Sequence, residues 1–315
     1  MRLGVIGTMV WDTIYGWDES IEPVQEWGGI AYALAALEAA LPPDWRMVPV
    51  IKVGRDLAAR ADAFLAHLTK RSAATRFVGT LRPNNRVTLR YDSEGRRTEC
   101  MTGGVPPWTW AELDPLVRDL DAIYVNFISG FELDLDTARA LRDNFTGPLY
   151  VDLHSLFLGI GGDGMRSPRR LPDVEEWFAC FDAVQLNQDE LALIASDPME
   201  VAATASARGV GLLVVTLGPR GAVYFAAEPF DFLSRKRAPN AAPIRTARLE
   251  PPHVDEPRDP TGCGDVFGAT LIAGLIAGAG VPDAVKSANE AAARNLSYRG
   301  ASGLQYHLRR EIVPR

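Results

Sequence analysis

The stretch "DPTGCGDVFGATLIAGLIAGAG", residues 259–280, decides the reading of this chain. Glycines at 262 and 264 let another group approach the backbone closely and permit unusual dihedrals. The almost wholly apolar run that follows predicts a buried helix over 264–279. A helix N-terminus presents unpaired N–H groups and a partial positive charge, so it attracts anions. The amides of Gly262, Cys263 and Gly264 are thus a candidate anion hole. Asp265 follows in the first turn, where a carboxylate can take a proton from an attacking hydroxyl while the amides hold charge building on a phosphoryl group. An aspartate at a helix start is also favoured simply as a cap and by the dipole, so the stretch alone leaves both roles open.

Composition narrows the surroundings. The chain has 315 residues and a net charge of −7. An acidic surface argues against a duplex nucleic acid partner but leaves room for a small anion held by local amides. Cys100, Cys180 and Cys263 lie far apart, in neither a metal-spaced pair nor an even disulfide framework, and a reducing cytoplasm is the simplest setting. The opening "MRLGVIGTMVWD" lacks the long apolar region and cleavage site of a signal peptide. The longest apolar run is too short and glycine-rich to span a bilayer, so no membrane partner is expected. The four histidines are scattered and form no helical zinc pair.

Outward from the signature, short apolar runs alternate with helical patterns. Strands are expected at 2–8, 46–54, 122–128, 149–154, 183–187 and 212–218. Helices are expected at 28–41, 56–71, 135–145, 188–196 and about 282–299. Such alternation predicts parallel strand–helix–strand units covered on both faces. One segment breaks the rhythm: "RVTLRYDSEGRRTECM", 86–101, puts Val87, Leu89 and Tyr91 on one face and turns at Asp92-Ser93-Glu94-Gly95, as a hairpin does. With "TIYGW", 13–17, it predicts a small separate sheet. The loop "GGDGMRSPRRLP", 161–172, reads as mobile and solvated; its Arg166, Arg169 and Arg170 are candidates for binding a phosphate.

The ordered motifs resemble the ribokinase-like (PfkB) carbohydrate kinases. "DPTGCGD" resembles that family's D-T-x-G-A-G-D signature, and the likeness covers most of the chain in the family's order. "GVIGTMVWD" looks like its first strand closing with a substrate-binding aspartate, Asp12. "WGGIAYALAAL" looks like its glycine pair, Gly28 and Gly29, with the following helix. "KVGRD" resembles its G-x-D turn, "LNQDE" matches N-x-x-E, "TLGPRGA" matches T-x-G-x-x-G, and "SANEAAARNLSYRGA" resembles the helix lining the adenine site.

The resemblance implies an α/β fold over 1–315 as a single domain: a central, mostly parallel sheet flanked by helices, with a small β lid from about 12–27 and 80–104. It implies transfer of the ATP γ-phosphoryl group to a hydroxyl of a sugar or sugar derivative. Asp265 would be the general base, and Gly262, Cys263 and Gly264 the anion hole. Asn187 and Glu190 would act on Mg²⁺ through water, although their spacing equally suits a reciprocal helix cap. Thr216, Gly218 and Gly221 would border the nucleotide, with Asn289 near the adenine; the two glycines also suit a tight turn, and Asn289 a helix surface. Asp12, Gly28, Gly29 and Asp56 would meet the acceptor, although Asp12 also suits a strand end. Asp259 marks the family's monovalent-cation loop, and a homodimer through the lid is common there.

Three departures from the family's pattern stand out. Pro260 stands in place of a threonine and lacks an N–H, upstream of the anion hole. Cys263 stands in place of a small alanine, either as a thiol activated at a helix N-terminus or as a small buried side chain. Ile30 and Ala33 stand where ribokinase carries a lysine and an asparagine, which argues against ribose. Trp11, Trp27 and Tyr32 lie beside the expected pocket, either as a stacking surface for a sugar or nucleobase or as packing. Asn84, Asn85 and Arg86 offer polar groups from the lid. A nucleoside kinase of the same family is the alternative, and a non-catalytic ligand binder on the same scaffold a second. An NAD fingerprint, G-x-G-x-x-G, fails because only Gly4 and Gly7 appear and Thr8 follows, and no P-loop motif occurs.

Overall fold

Residues 2–6, "RLGVI", are apolar enough to be buried on both faces, as a strand inside a parallel sheet must be. In the computed structural model, which describes residues 1–15, 22–73, 77–91, 97–234, 243–255 and 257–312, that strand sits inside an eight-stranded sheet. The chain begins with β1 (Arg2–Ile6), β2 (Met9–Tyr15), β3 (Val24–Gly29), α1 (Ile30–Ala40), β4 (Arg46–Val50), β5 (Lys52–Gly54), α2 (Ala58–Ala66), β6 (Val78–Thr80), β7 (Arg86–Tyr91) and β8 (Arg97–Thr102). It continues with α3 (Trp110–Val117), β9 (Ala122–Asn126), α4 (Leu135–Asn144), β10 (Leu149–Asp152), β11 (Leu158–Ile160), β12 (Arg166–Pro168), α5 (Val174–Ala179), β13 (Ala183–Asn187), α6 (Gln188–Ile194) and α7 (Pro198–Ala207). It ends with β14 (Leu212–Thr216), β15 (Ala222–Ala227), β16 (Ile244–Leu249), α8 (Cys263–Ile276), α9 (Val281–Asn295) and α10 (Leu304–Leu308).

The large sheet has the order β16-β15-β14-β13-β10-β9-β1-β4. Its strands from β14 to β4 run parallel, while β15 and β16 are antiparallel at one edge. Successive strand residues feed two cores. Leu3, Val5, Tyr124 and Val214 pack with α1, α8 and α9 on one face. Ile6, Val125, Val151 and Leu213 pack with α3, α4, α5 and α7 on the other. The chain passes from β1 to β4 on one side and later to β9 on the other, so strand order reverses at β1. In open α/β sheets such a switch point opens a crevice at the strands' C-terminal ends, where ligands bind.

A second sheet, ordered β3-β2-β7-β8, is separate from the large one. It revises several expected boundaries. The run 2–12 is not one strand: β1 stops at Ile6, Ile30 N–H donates to Thr8 O, and β2 starts a different sheet. Asp12 therefore lies within β2 and does not close the first strand. The run 46–54 also splits, into β4 and β5; β4 is an edge strand, which tolerates Pro49 without an N–H. The expected hairpin is β7 and β8, with buried Val87 and Leu89 on one face. Its turn at 92–95, and residues 16 and 17 of the other extended piece, lie outside the described residues. The loop 161–172 is partly ordered, because β11 and β12 pair there and Met101 N–H in β8 donates to Gly164 O at 2.8 Å. Among the described residues no helix is long and apolar enough to cross a membrane.

Candidate active site

The signature folds into a tight entry to α8. Gly262 is the N-cap residue with φ 78°, a left-handed conformation that favours glycine. Space demands glycine as well: a Cβ there would lie 2.3 Å from the Tyr32 ring. The Cys263 N–H donates to Pro260 O at 3.2 Å, so one of the three expected anion-hole amides is engaged in the turn. Gly264 is exposed. Burial, reinforced by the charges of Asp259, Asp12, Asp265 and Glu26, pushes the Tyr32 phenol far above its ordinary value. Tyr32 is thus a neutral phenol among carboxylates.

Asp265 lies in the first turn of α8, and its Oδ1 accepts from Asn126 Nδ2 at 2.7 Å. Asn126 ends β9, next to the switch point, and is fully buried. Beneath the helix entry runs a buried polar chain. Tyr150 O–H donates to Gln185 Oε1 at 2.6 Å, and Gln185 Nε2 donates to Asp152 Oδ2 at 2.7 Å and to Gly264 O at 3.2 Å. Burial, with Glu190 and Asp265 nearby, raises the Asp152 carboxyl to about 8, against the opposite pull of His154. The sequence reading missed Asn126, Asp152, His154 and Gln185. The available signal was polar residues in apolar parallel strands: Asn126 and Asp152 stand at C-terminal ends, where such folds gather ligand groups.

Asn187 and Glu190 form the reciprocal cap that their spacing allowed. Asn187 Oδ1 accepts from the N–H groups of Asp189 and Glu190, and Glu190 Oε2 accepts from Asn187 N–H at 2.8 Å. Glu190 Oε1 meets Asn187 Nδ2 and His154 Nδ1, each at 2.5 Å.

Six expected residues line one pocket of about 590 Å³: Thr216, Gly218, Gly221, Cys263, Gly264 and Asn289. The rest of its wall is mainly apolar, including Phe267, Leu296 and five prolines. Asn289 Nδ2 is held by Leu249 O at 2.8 Å. Gly218 and Gly221 have φ 59° and 84°, so the turn role and the pocket role coincide. Burial raises the Cys263 thiol to about 11, and its Sγ lies 3.5 Å from Ala292 O. The side chain is half-buried at the pocket wall, and its raised thiol speaks against activation at the helix terminus.

The acceptor-side expectations scatter more. Asp12 is buried in β2 against Gly28 of β3, where a Cβ would lie 1.7 Å from Asp12 Oδ2. Gly29 is the N-cap of α1. Asp56 is engaged by the chain itself, accepting from Asn84 N–H and Arg86 Nη2, both at 2.8 Å. Burial pushes its carboxyl up, but those hydrogen bonds outweigh it and hold the group below the usual value. Trp11 and Trp27 pack edge-to-face at 5.2 Å, and the Arg60 guanidinium lies 4.7 Å over Trp11, so neither tryptophan is a bare stacking platform. Asn84 is fully buried and bonds to Gly54 N–H and Met9 O. Asn85 Oδ1 accepts from Val105 N–H at 3.1 Å. Arg166 is not a solvated loop residue: it is buried and bonds to Glu99 at 2.6 Å and to the carbonyls of Ile128 and Ser129. Arg169 and Arg170 are exposed. Asp259 is buried; Oδ1 accepts from Thr261 N–H, while Oδ2 has no hydrogen-bond partner and lies 4.0 Å from Arg299 Nε.

The family model described as pfkB family carbohydrate kinase matches residues 162–306. The chain resembles the PfkB family in sequence and in fold. A ribokinase from Thermotoga maritima superposes with a TM-score of 0.72 at 18% identity, covering 98% of each chain. A nucleoside kinase from Burkholderia thailandensis, solved in complex with inosine, gives 0.70 at 17% identity over 98% of this chain and 96% of its own. A pyrophosphate-dependent kinase in the ribokinase family, solved with sulfate, gives 0.73 at 16% identity over 97% and 98%. Likenesses at this identity establish the ribokinase-like fold. No curated protein sequence matches the chain. The matched region holds the N-x-x-E turn, the 590 Å³ pocket and the signature, while β2, β3 and α1 precede it.

Proposed function

We propose that this protein is an ATP-dependent kinase that transfers the γ-phosphoryl group to a hydroxyl of a sugar or nucleoside. The observation that carries the reading is the position of Asp265, one residue from the pocket-lining Gly264 and close enough to Tyr32, with Asp12 and Asp259, to act on its phenol. The donor would occupy the 590 Å³ pocket. The acceptor would lie beneath the second sheet, acting as a lid, against Asp12, Gly28 and Gly29. Asp265 would take the proton from the acceptor O–H. The acceptor oxygen would form a bond to the γ-phosphorus as the bond from that phosphorus to the bridging oxygen breaks, its electron pair leaving with ADP. The amides of Gly262, Cys263 and Gly264 would hold the charge on the transferred group, with Cys263 exchanging its 3.2 Å bond to Pro260.

Asn187 and Glu190 suit an outer role toward Mg²⁺, because their side-chain oxygens already serve the cap; they would hold its waters, not the ion. When bound, the ion supplies charge compensation on the phosphates. The partnerless Asp259 Oδ2 is the feature that fits the expected monovalent cation, in competition with Arg299. The packed state of Trp11 and Trp27 removes one support for the nucleoside alternative.

ADP release from Mg-ATP across sugars, sugar phosphates and nucleosides tests the reading, with Asp265→Asn as control. The expected result is a stimulated rate that falls at least about a hundredfold in the variant, with nucleotide binding retained. A rate unchanged by the substitution removes Asp265 from this role. Turnover with pyrophosphate in place of ATP would reassign the donor, and ligand binding without any transfer would favour a binding protein.

A further inference from the structure

We infer that Asn126 is a positioning residue for Asp265, fixing one carboxylate oxygen so that the carboxylate is oriented to receive the acceptor's proton. The consequence for catalysis rests on the kinase reading; the geometry does not. Three observations carry it.

The first is where the carboxylate goes. Asp265 is the third residue after the N-cap of α8, a position from which an acidic side chain commonly folds back onto the N-cap N–H. Here its Oδ1 reaches a donor 139 residues away in sequence, at 2.7 Å. The second is the other end of Asn126. With Nδ2 on the carboxylate, its Oδ1 is buried and has no hydrogen-bond partner. Flipping the amide would set a carbonyl oxygen against a carboxylate, so the orientation is forced. An apolar residue like its neighbours Val125 and Phe127 would fill this strand end without an orphaned polar atom. The third is the electrostatic setting. Tyr32 from α1, Tyr124 from β9, Asp152 from β10 and Cys263 from α8 all interact with Asp265, and each is neutral or negative. The Asn126 N–H stabilises the carboxylate in those surroundings. As a neutral donor it does so without the full charge of an arginine or lysine, which would depress proton affinity further and weaken the base.

The test titrates the Asp265 carboxyl carbon by ¹³C NMR in the full-length protein, with Asp265→Asn assigning the signal. Asn126→Leu and the isosteric Asn126→Asp are compared with the parent chain. The expected result is a midpoint raised by about one pH unit or more in Asn126→Leu, and further in Asn126→Asp, where two carboxylates share a proton. In turnover, kcat at neutral pH falls about ten- to a hundredfold through lost orientation, with KM for ATP within about twofold. A midpoint and kcat unchanged in either folded variant would overturn the inference, leaving Asn126 a structural tie whose loss lowers only Tm. If the parent chain phosphorylates no acceptor, the kinase reading fails, and the NMR titration still decides whether Asn126 sets the state of Asp265.

Discussion

Gly28 and Asp12 meet across the β2–β3 ladder so closely that a methyl group on Gly28 would lie 1.7 Å from Asp12 Oδ2. Gly28 thus acts through the place it leaves for a carboxylate. The substitution Gly28→Ala is expected to displace Asp12 and raise KM for the acceptor at least about tenfold, a loss typical of one misplaced polar contact. ATP affinity should stay unchanged, because the proposed donor pocket is built from other elements. Initial rates at varied acceptor and varied ATP separate the two; an acceptor KM that stays constant would remove Asp12 from the acceptor site.

Gly262 is constrained twice, by its dihedrals and by Tyr32. Placing a side chain at φ 78° costs about 1–2 kcal/mol. The clash 2.3 Å from the Tyr32 ring adds to that. Gly262→Ala should therefore lose at least about 2 kcal/mol in urea unfolding. Adding Tyr32→Ala should recover less than the parent stability, since it relieves the clash but not the dihedral. Full additivity of the two changes would show that the ring and the loop are not in contact.

The Cys263 thiol, raised to about 11 by burial, should be alkylated slowly at pH 8 despite its place in the first turn of a helix. Cys100, half-buried in the second sheet, should label first. Mass mapping of a timed alkylation distinguishes them; rapid modification of Cys263 would mean that the helix terminus outweighs its burial.

Asp152 makes stability depend on pH. Its carboxyl is raised from 3.8 to about 8, so the folded state holds the proton more tightly than the unfolded state. Its contribution is therefore most favourable below about pH 4 and is lost as pH rises toward about 8, then stays level. Asp152→Asn removes this loss. The Tm of the variant relative to the parent should rise between pH 4 and 8; a constant difference over that range would place the titration elsewhere.

Much of this architecture was legible because the governing interactions are local. The apolar run after Asp265 reads as a buried helix, and α8 is one, with ten buried residues from Val266 onward. The spacing of Asn187 and Glu190 reads as a cap, and a cap forms. Where local patterns end, the reading erred. The apolar run 2–12 gives no sign that the chain leaves one sheet at Ile6 and enters another at Met9, because both strands are equally apolar. Arg166 reads as a loop charge until Glu99, in a strand far earlier in the chain, pairs with it.

The sequence by itself determined the alternating α/β order, the glycine-rich entry to α8 and the carboxylate beside it, since periodicity, backbone freedom and helix-end charge act over a few residues. Only the tertiary structure decided that Asn126 would hold Asp265, that Tyr32 would pack on Gly262, and that burial would raise the Cys263 thiol and the Asp152 carboxyl. Those outcomes depend on distance and desolvation between residues remote in the chain, and neither exists until the sheet has brought them together.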